Sequence, residues 1–531
     1  MSYKTANLPQ LARCNMQKCV WGLIVIFCAA PLLAGTFFGT IESVDAESRS
    51  VVVAGNKNAG SKTFEIPAKA AISINGKKSD FEALVEGAAV TVSTDPSDKV
   101  TKINVRPAAA GTAGSKNVTT KKNTSKDGDE SPATAGTGKA GTDDWPSFDG
   151  PARDNISRET GLLKSWPAEG PKLAWQAKGL GEGYAAVSIA DGLVYTMGNV
   201  KTNEVVTALD LETGKIVWQQ KTGAASQLSM GNGPRGTPTY DEGQVYSLGG
   251  NGDLTSLDAR TGKQSWRKNI LQEFGGNNIT WGISESVLID GDRLICTPGG
   301  RSGTIVALNK ANGKPKWKAV VPGNSPAGYS SAIVAEVDGV RQYVQFLHKG
   351  VVGVRADTGE VLWGNDASAN PTANCSSPLF ADNMVFSASG YGKGGALVKL
   401  AVKGRKVEAT PGYHTNKMES HHGGMVLLDG HIYGSSDPGV VRCLDLATGN
   451  VKWENRSVGK GSITCADGHL YVRSEKGPVA LVEATPAGYN ETGRFDQPDR
   501  SNAEAWAHPV VSHGKLFLRD QDLLLVYDIK E

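Results

Sequence analysis

His421 and His422 stand side by side, Trp281 precedes Glu285 by four residues, and Arg519 is followed by Asp520. Together with Tyr184, Arg235, Tyr329, Asn374, Trp506 and His508, these residues form a set far more aromatic and polar than the sequence around them. Arg301, His348 and Tyr391 fall in loops of matching phase. Flat rings beside Arg and His suit stacking and hydrogen bonding to a sugar, a polymer or a peptide tail. Metal chemistry at His421-His422 is not expected. Neighbours on a strand point to opposite faces, so one ring should pack and the other face outward, and no further ligand stands at metal-binding spacing. Covalent chemistry lacks a motif: there is no Gly-x-Ser-x-Gly and no Cys-x-x-Cys-His. Gly249-Gly250-Asn251-Gly252 and Gly299-Gly300-Arg301 read as turns, because no helix pattern follows them to cradle a phosphate.

What must position these residues is a repeat. Asp210-Leu-Glu-Thr213-Gly214-Lys-Ile-Val-Trp218 recurs as Asp258…Trp266, Asn309…Trp317, Asp357…Trp363 and Asp445…Trp453. A strand-built repeat with a period of roughly 40–50 residues means a propeller. Gly214 can adopt the positive φ of a tight turn, Asp210 and Thr213 can bond the turn backbone, and the Trp can fill the gap between neighbouring units. These residues are read as architecture. A second series, an inner strand ending in Asp-Gly or its equivalent, starts near Tyr184, Arg235, Ser284, Tyr329, Cys375, His422, Ser462 and His508, which gives eight blades. The Trp series skips one unit, Lys403 to Tyr413, and the final unit stops at Val526-Tyr527-Asp528, one strand short. The early strand Leu173-Ala-Trp175-Gln176 is expected to complete it, since closure removes sheet edges. The candidate residues then gather at one mouth of the ring.

The chain has 531 residues and a net charge of +2. No basic stripe interleaved with aromatics is present, so nucleic acid is not an expected partner. Lys18 followed by the apolar run Val20 to Ala34 reads as a signal peptide over 1–34, too short for a usual membrane span. Cleavage near Ala34 is expected, an uncleaved anchor is the alternative, and Met16 is a second candidate start. Thr36 stands where a lipidated Cys would follow Leu32-Leu33-Ala34-Gly35. Periplasmic or secreted localisation follows, with no stable membrane insertion after cleavage. Residues 35–106 carry six strand patterns and the hairpin signal Asn75-Gly76, read as a small β-barrel-like domain. Residues 107–143 lack large apolar side chains and read as a disordered linker; the propeller is placed at 144–531, after the lead-in Asp144-Trp145-Pro146-Ser-Phe148. Cys296, Cys375, Cys443 and Cys465 show no metal-like spacing and are expected as buried thiols, with a disulfide as the alternative in an exported protein.

The Asp-x-x-Thr-Gly-x-x-x-Trp units resemble the pyrroloquinoline-quinone (PQQ) type propeller repeat from Trp145 to Glu531. The lead-in Trp145-Pro-Ser-Phe-Asp-Gly-Pro and Gly161-Leu-Leu-Lys-Ser-Trp166-Pro resemble exported PQQ-like propellers of planctomycete-type bacteria. Such proteins are described as similar to polyvinyl-alcohol dehydrogenase or to BamB-type assembly factors. The resemblance implies an all-β, eight-bladed propeller and three readings of function. One is a PQQ-dependent quinoprotein dehydrogenase oxidising an alcohol or polymer. There the cofactor stacks on a Trp, here Trp281, and Glu, Asn and Asp hold Ca²⁺, here Glu285, Asn374 and Asp520. The adjacent cysteines found under the cofactor in some members are missing. The second is a binding propeller without chemistry, holding a small molecule, polysaccharide or protein at its mouth. The third is a scaffold of the BamB type, which is typically lipid-anchored. The binding or scaffold reading is favoured, with no cofactor and no metal expected, and the dehydrogenase is the alternative, with PQQ and Ca²⁺.

Overall fold

The computed structural model describes residues 36–45, 48–55, 61–74, 77–81, 84, 88–95, 99–106 and 141–531. The expected signal peptide and most of the expected linker lie outside the described residues. The chain divides into two compact units, Met1–Pro132 and Ala133–Glu531.

In the first unit the described strands form one seven-stranded sheet, with Thr36–Asp45 paired to Ser50–Gly55 and to Ala89–Thr94. Alternation puts Ile41, Val51, Val53, Phe64, Val92 and Ile103 into one shared core. The six strands expected are joined by Lys77–Lys78, which pairs antiparallel with Ala71–Ile74 across the Asn75-Gly76 signal. Ser61–Glu65 ends the sheet on one side and Lys77–Lys78 on the other. Among the described residues no strand pair joins these two ends.

The second unit is eight four-stranded antiparallel blades, one of which takes up a fifth short strand. Their inner strands are Ser188–Ala190, Thr239–Asp241, Leu288–Asp290, Ile333–Val337, Leu379–Ala381, Met425–Leu428, Gly461–Ala466 and Val510–Ser512. Lys172–Ala177 pairs with Leu523–Asp528 and supplies the eighth blade's outer strand, so the first strand of the ring is hydrogen-bonded to its last.

The repeat residues lock most blades to the next. Asp210 Oδ1 accepts hydrogen bonds from the Thr213 N–H at 2.9 Å and from its hydroxyl at 2.7 Å. The same turn recurs at Asp258–Thr261 and Asp445–Thr448. The indole N–H of Trp218 donates to the Ala259 carbonyl of the following blade at 3.0 Å. Trp175, Trp266, Trp317 and Trp453 make the equivalent reach, to Leu211, Lys310, Ala356 and Thr485. Gly214 has φ +66, and a Cβ there would run into the Trp175 ring, so only glycine lets the two blades close. In the unit that breaks the Trp series, Tyr413 takes the place and donates its hydroxyl to Leu446 at 2.8 Å. Trp363 departs from the scheme: its indole bonds Gln342 of its own blade.

The lead-in to the ring threads through its centre. Trp145 bridges Ile189 of the first blade, and Tyr240 of the second donates its N–H to the Pro146 carbonyl. The Arg153 guanidinium donates to the Ser286 and Val287 carbonyls of the third blade at 2.8 and 3.0 Å. Ser377 of the fifth donates to Asp149 at 2.9 Å, and Ile156–Ser157 pairs with Cys465–Ala466 of the seventh. A segment bonded to inner strands on all sides must cross the ring axis. It is buried as it does so, with Trp145, Asp149, Arg153 and Asn155 all under 9% exposed.

Candidate functional site

Above this segment lies a cup of about 160 Å³, lined from seven of the eight blades. Phe148 of the lead-in is part of its lining and packs on His508, ring centroids 4.9 Å apart. Tyr184 and Trp506 pair at 4.8 Å on the neighbouring first and eighth blades. Trp281 and Tyr329 pair at 5.6 Å on the third and fourth. In a ring of eight the fourth blade stands across from the eighth, and the first and third lie two blades apart on the same side, with the second and its Arg235 between them. Arg235 of the second blade lies over the Tyr184 ring at 5.0 Å, and burial lowers its pKa. Tyr391 meets His421 edge-on at 4.7 Å on the opposite flank.

The histidines of the cup are tied to their neighbours. His422 Nε2–H donates to Glu475 at 3.2 Å, and so does the Trp506 indole, also at 3.2 Å. Burial alone would raise the Glu475 carboxyl; the His422 and Trp506 hydrogen bonds and nearby Lys460 outweigh it and hold it at about 2. Lys460 donates to His421 Nδ1 at 2.7 Å and pairs with Asp437 at 3.0 Å. Burial, with His422 and Lys460 beside it, pushes His421 down to about 4, and burial lowers His422 as well. Both rings are therefore neutral near pH 7. The Nδ1 of His422 and the Nε1–H of Trp281 are buried and lack hydrogen-bond partners among the described residues. Cys375 also lines the cup, but burial raises its thiol to about 12, which removes it as a nucleophile.

Tyr184, Arg235, Trp281, Tyr329, His421, His422, Trp506 and His508, singled out in the sequence, all line the cup, as does Tyr391. Arg301 and His348 do not, and nor do four others. Glu285 is walled in, accepting from the Thr297 N–H and hydroxyl and from Gln345, at 2.7–3.1 Å. Asn374 spends its amide on the Leu347 and His348 carbonyls. Arg519 clamps the eighth blade to the first through Ala185, Thr196 and Met197. Asp520 is bonded to Gln497, Arg500 and Ser501. Phase along a strand places a residue at a level of the ring, not on the axial side of it, and these four point into the seams between blades. The opposite-faces expectation for His421 and His422 also fails. They precede Met425–Leu428 in a loop, where the strand alternation does not hold, and both rings line the cup. Phe148, Met230, Cys375, Lys460 and Glu475 were not anticipated. The aromatic lead-in was the one signal that could have found Phe148.

The PQQ_2 family model, described as "Outer membrane protein assembly factor BamB", matches residues 156–280 and 202–455, more than half of the 531-residue chain. The chain belongs to this family of PQQ-like repeat propellers. The PQQ_2 propeller is 28% identical to the outer membrane protein assembly factor BamB of Yersinia pestis over 138 residues, 25% of this chain and 31% of that one. It is 23% identical to the protein of the same name from Shewanella oneidensis over 232 residues, 43% of this chain and 54% of that one. It thus spans about a third to a half of the length of these curated relatives. The quinohemoprotein alcohol dehydrogenase of Comamonas testosteroni superposes with a TM-score of 0.50 at 14% identity, covering 72% of this chain and 80% of that one, which shows a common fold.

The oxygen donors that the dehydrogenase resemblance assigns to Ca²⁺ do not form a set here. Glu285, Asn374 and Asp520 sit in three separate hydrogen-bond networks. Among the described residues no three His, Cys, Asp or Glu side chains gather as metal ligands. Burial pushes the Glu285 carboxyl up to about 8, against the pull of Thr297 and Arg153, so it is mostly protonated at neutral pH. A protonated, fully bonded carboxyl is a poor ligand for a hard cation.

Proposed function

We propose that this PQQ_2 propeller is an exported binding or scaffold module that holds one end of a ligand or partner in its cup and does no chemistry of its own. One observation carries the reading. The side chains facing the cup include aromatic rings, histidines and an arginine, while the carboxylates that could hold a metal are consumed in the walls. Such a surface stacks and hydrogen-bonds but offers no activated nucleophile and no metal ligand set. The name of the matched relatives, an assembly factor, supports a scaffold role. The export reading rests on the 1–34 segment; no helix of the described residues is long and apolar enough to cross a membrane.

Reconstitution with PQQ and Ca²⁺, followed by dye-linked oxidation of primary alcohols and polyvinyl alcohol, tests the proposal. No alcohol-dependent dye reduction is expected. Turnover that requires both PQQ and Ca²⁺ would replace this reading with the dehydrogenase.

A further inference from the structure

We infer that the cup takes the terminal ring of an uncharged saccharide. This rests on the binding role proposed above and names its ligand.

Size comes first. A cup of about 160 Å³ is smaller than the roughly 300–1,000 Å³ of sites that enclose a whole drug-sized molecule. It admits one six-membered ring and leaves the rest of a chain at the rim.

Shape comes second. The two aromatic pairs, Tyr184–Trp506 and Trp281–Tyr329, line the cup from separate positions around the ring. A pyranose has two C–H faces to set against them and a perimeter of hydroxyls.

Charge and hydrogen bonding decide between ligand classes. Arg235 on one flank and Lys460 behind His421 on the other oppose a cationic ligand. Glu475, held ionised beneath His422 and Trp506, and Asp149 beside His508 at 3.5 Å oppose an anionic one. Among the residues lining the cup, a donor, Trp281 Nε1–H, and ring nitrogens, Nδ1 of His422 and of His508, are buried without hydrogen-bond partners. A hydroxyl serves both, being one donor and two acceptors on a single atom. A peptide could offer the same groups through its amides. However, one way to hold an extended peptide is to add it as a strand to a free sheet edge. The inner edges of the first and seventh blades are already taken by the lead-in, at Trp145–Ile189 and Ile156–Ser157.

The full chain is titrated by calorimetry and tryptophan fluorescence with cellopentaose, chitopentaose, a galacturonate pentamer, and a Pro- and Tyr-rich peptide. One-to-one binding of a neutral pentamer is expected, weakened about tenfold or more by Trp281→Ala and by Trp506→Ala. Trp317→Phe, in a seam between blades, should leave it unchanged, and melting curves establish that each variant is folded. Binding of the galacturonate alone overturns the charge argument, and of the peptide alone the saccharide assignment; both leave the binding role standing. Binding of none overturns the inference. The dye-reduction assay tests the binding role separately.

Discussion

Glu285 and Trp281 lie four residues apart and do opposite jobs. Glu285 closes a buried polar seam with Thr297 and Gln345, so Glu285→Ala leaves a backbone N–H and an amide unpaired and should destabilise by about 2–3 kcal/mol. Trp281→Ala and Tyr391→Ala open only the cup and should stay within about 1 kcal/mol of the parent. Trp218→Ala removes an interblade ring and should cost about 3 kcal/mol, the low end for a large aromatic because the ring is half-buried. Urea denaturation ranks the four; equal losses would place the cup residues in the core. Glu285 also sets a pH dependence. Its folded pKa of about 8 lies above its ordinary 4.5, so the native state holds a proton that the unfolded chain releases. This contribution is intact below pH 4.5 and is lost as pH rises toward 8. Glu285→Gln should flatten the fall in melting temperature between pH 5 and 8; an unchanged slope would mean the carboxyl is ionised in the fold.

At the scale of elements, the repeat was legible because turn chemistry is local: Asp210, Thr213 and Gly214 make their bonds within five residues. The substitution of Tyr413 for a tryptophan was not legible, because its role is a bond to a carbonyl 33 residues away. Tyr413→Trp should therefore be tolerated, whereas Gly449→Ala, whose Cβ would meet the Tyr413 ring at φ +73, should destabilise by more than about 1 kcal/mol. The lead-in shows the same limit. Trp145-Pro146-Ser147-Phe148 announces packing, but its partners are spread over the whole ring, and no spacing predicts a path through the axis. Arg153→Ala removes the donor to the Ser286 carbonyl and one of the two donors to the Val287 carbonyl, which keeps the Thr239 hydroxyl, and should cost about 2 kcal/mol by denaturant titration. A neutral result would make the segment a passive filler.

For the whole molecule, closure and the cup are separable. Deleting residues 170–178 removes the strand that pairs with Leu523–Asp528 and should lower the melting temperature of the entire ring, since the eighth blade is left with an open edge. The eight-bladed plan was readable from two periodic series. The membership of the cup was readable only in part, since nine of the fifteen residues singled out line it, Glu285, Asn374, Arg519 and Asp520 face the seams, and Arg301 and His348 are not in its lining. That division is also the ground for reading a binding module in place of an oxidoreductase. Calorimetric titration of the full chain with PQQ in the presence of Ca²⁺ tests it most directly. The arrangement of Glu285, Asn374 and Asp520 predicts no stoichiometric uptake. One-to-one, Ca²⁺-dependent binding of PQQ would contradict it.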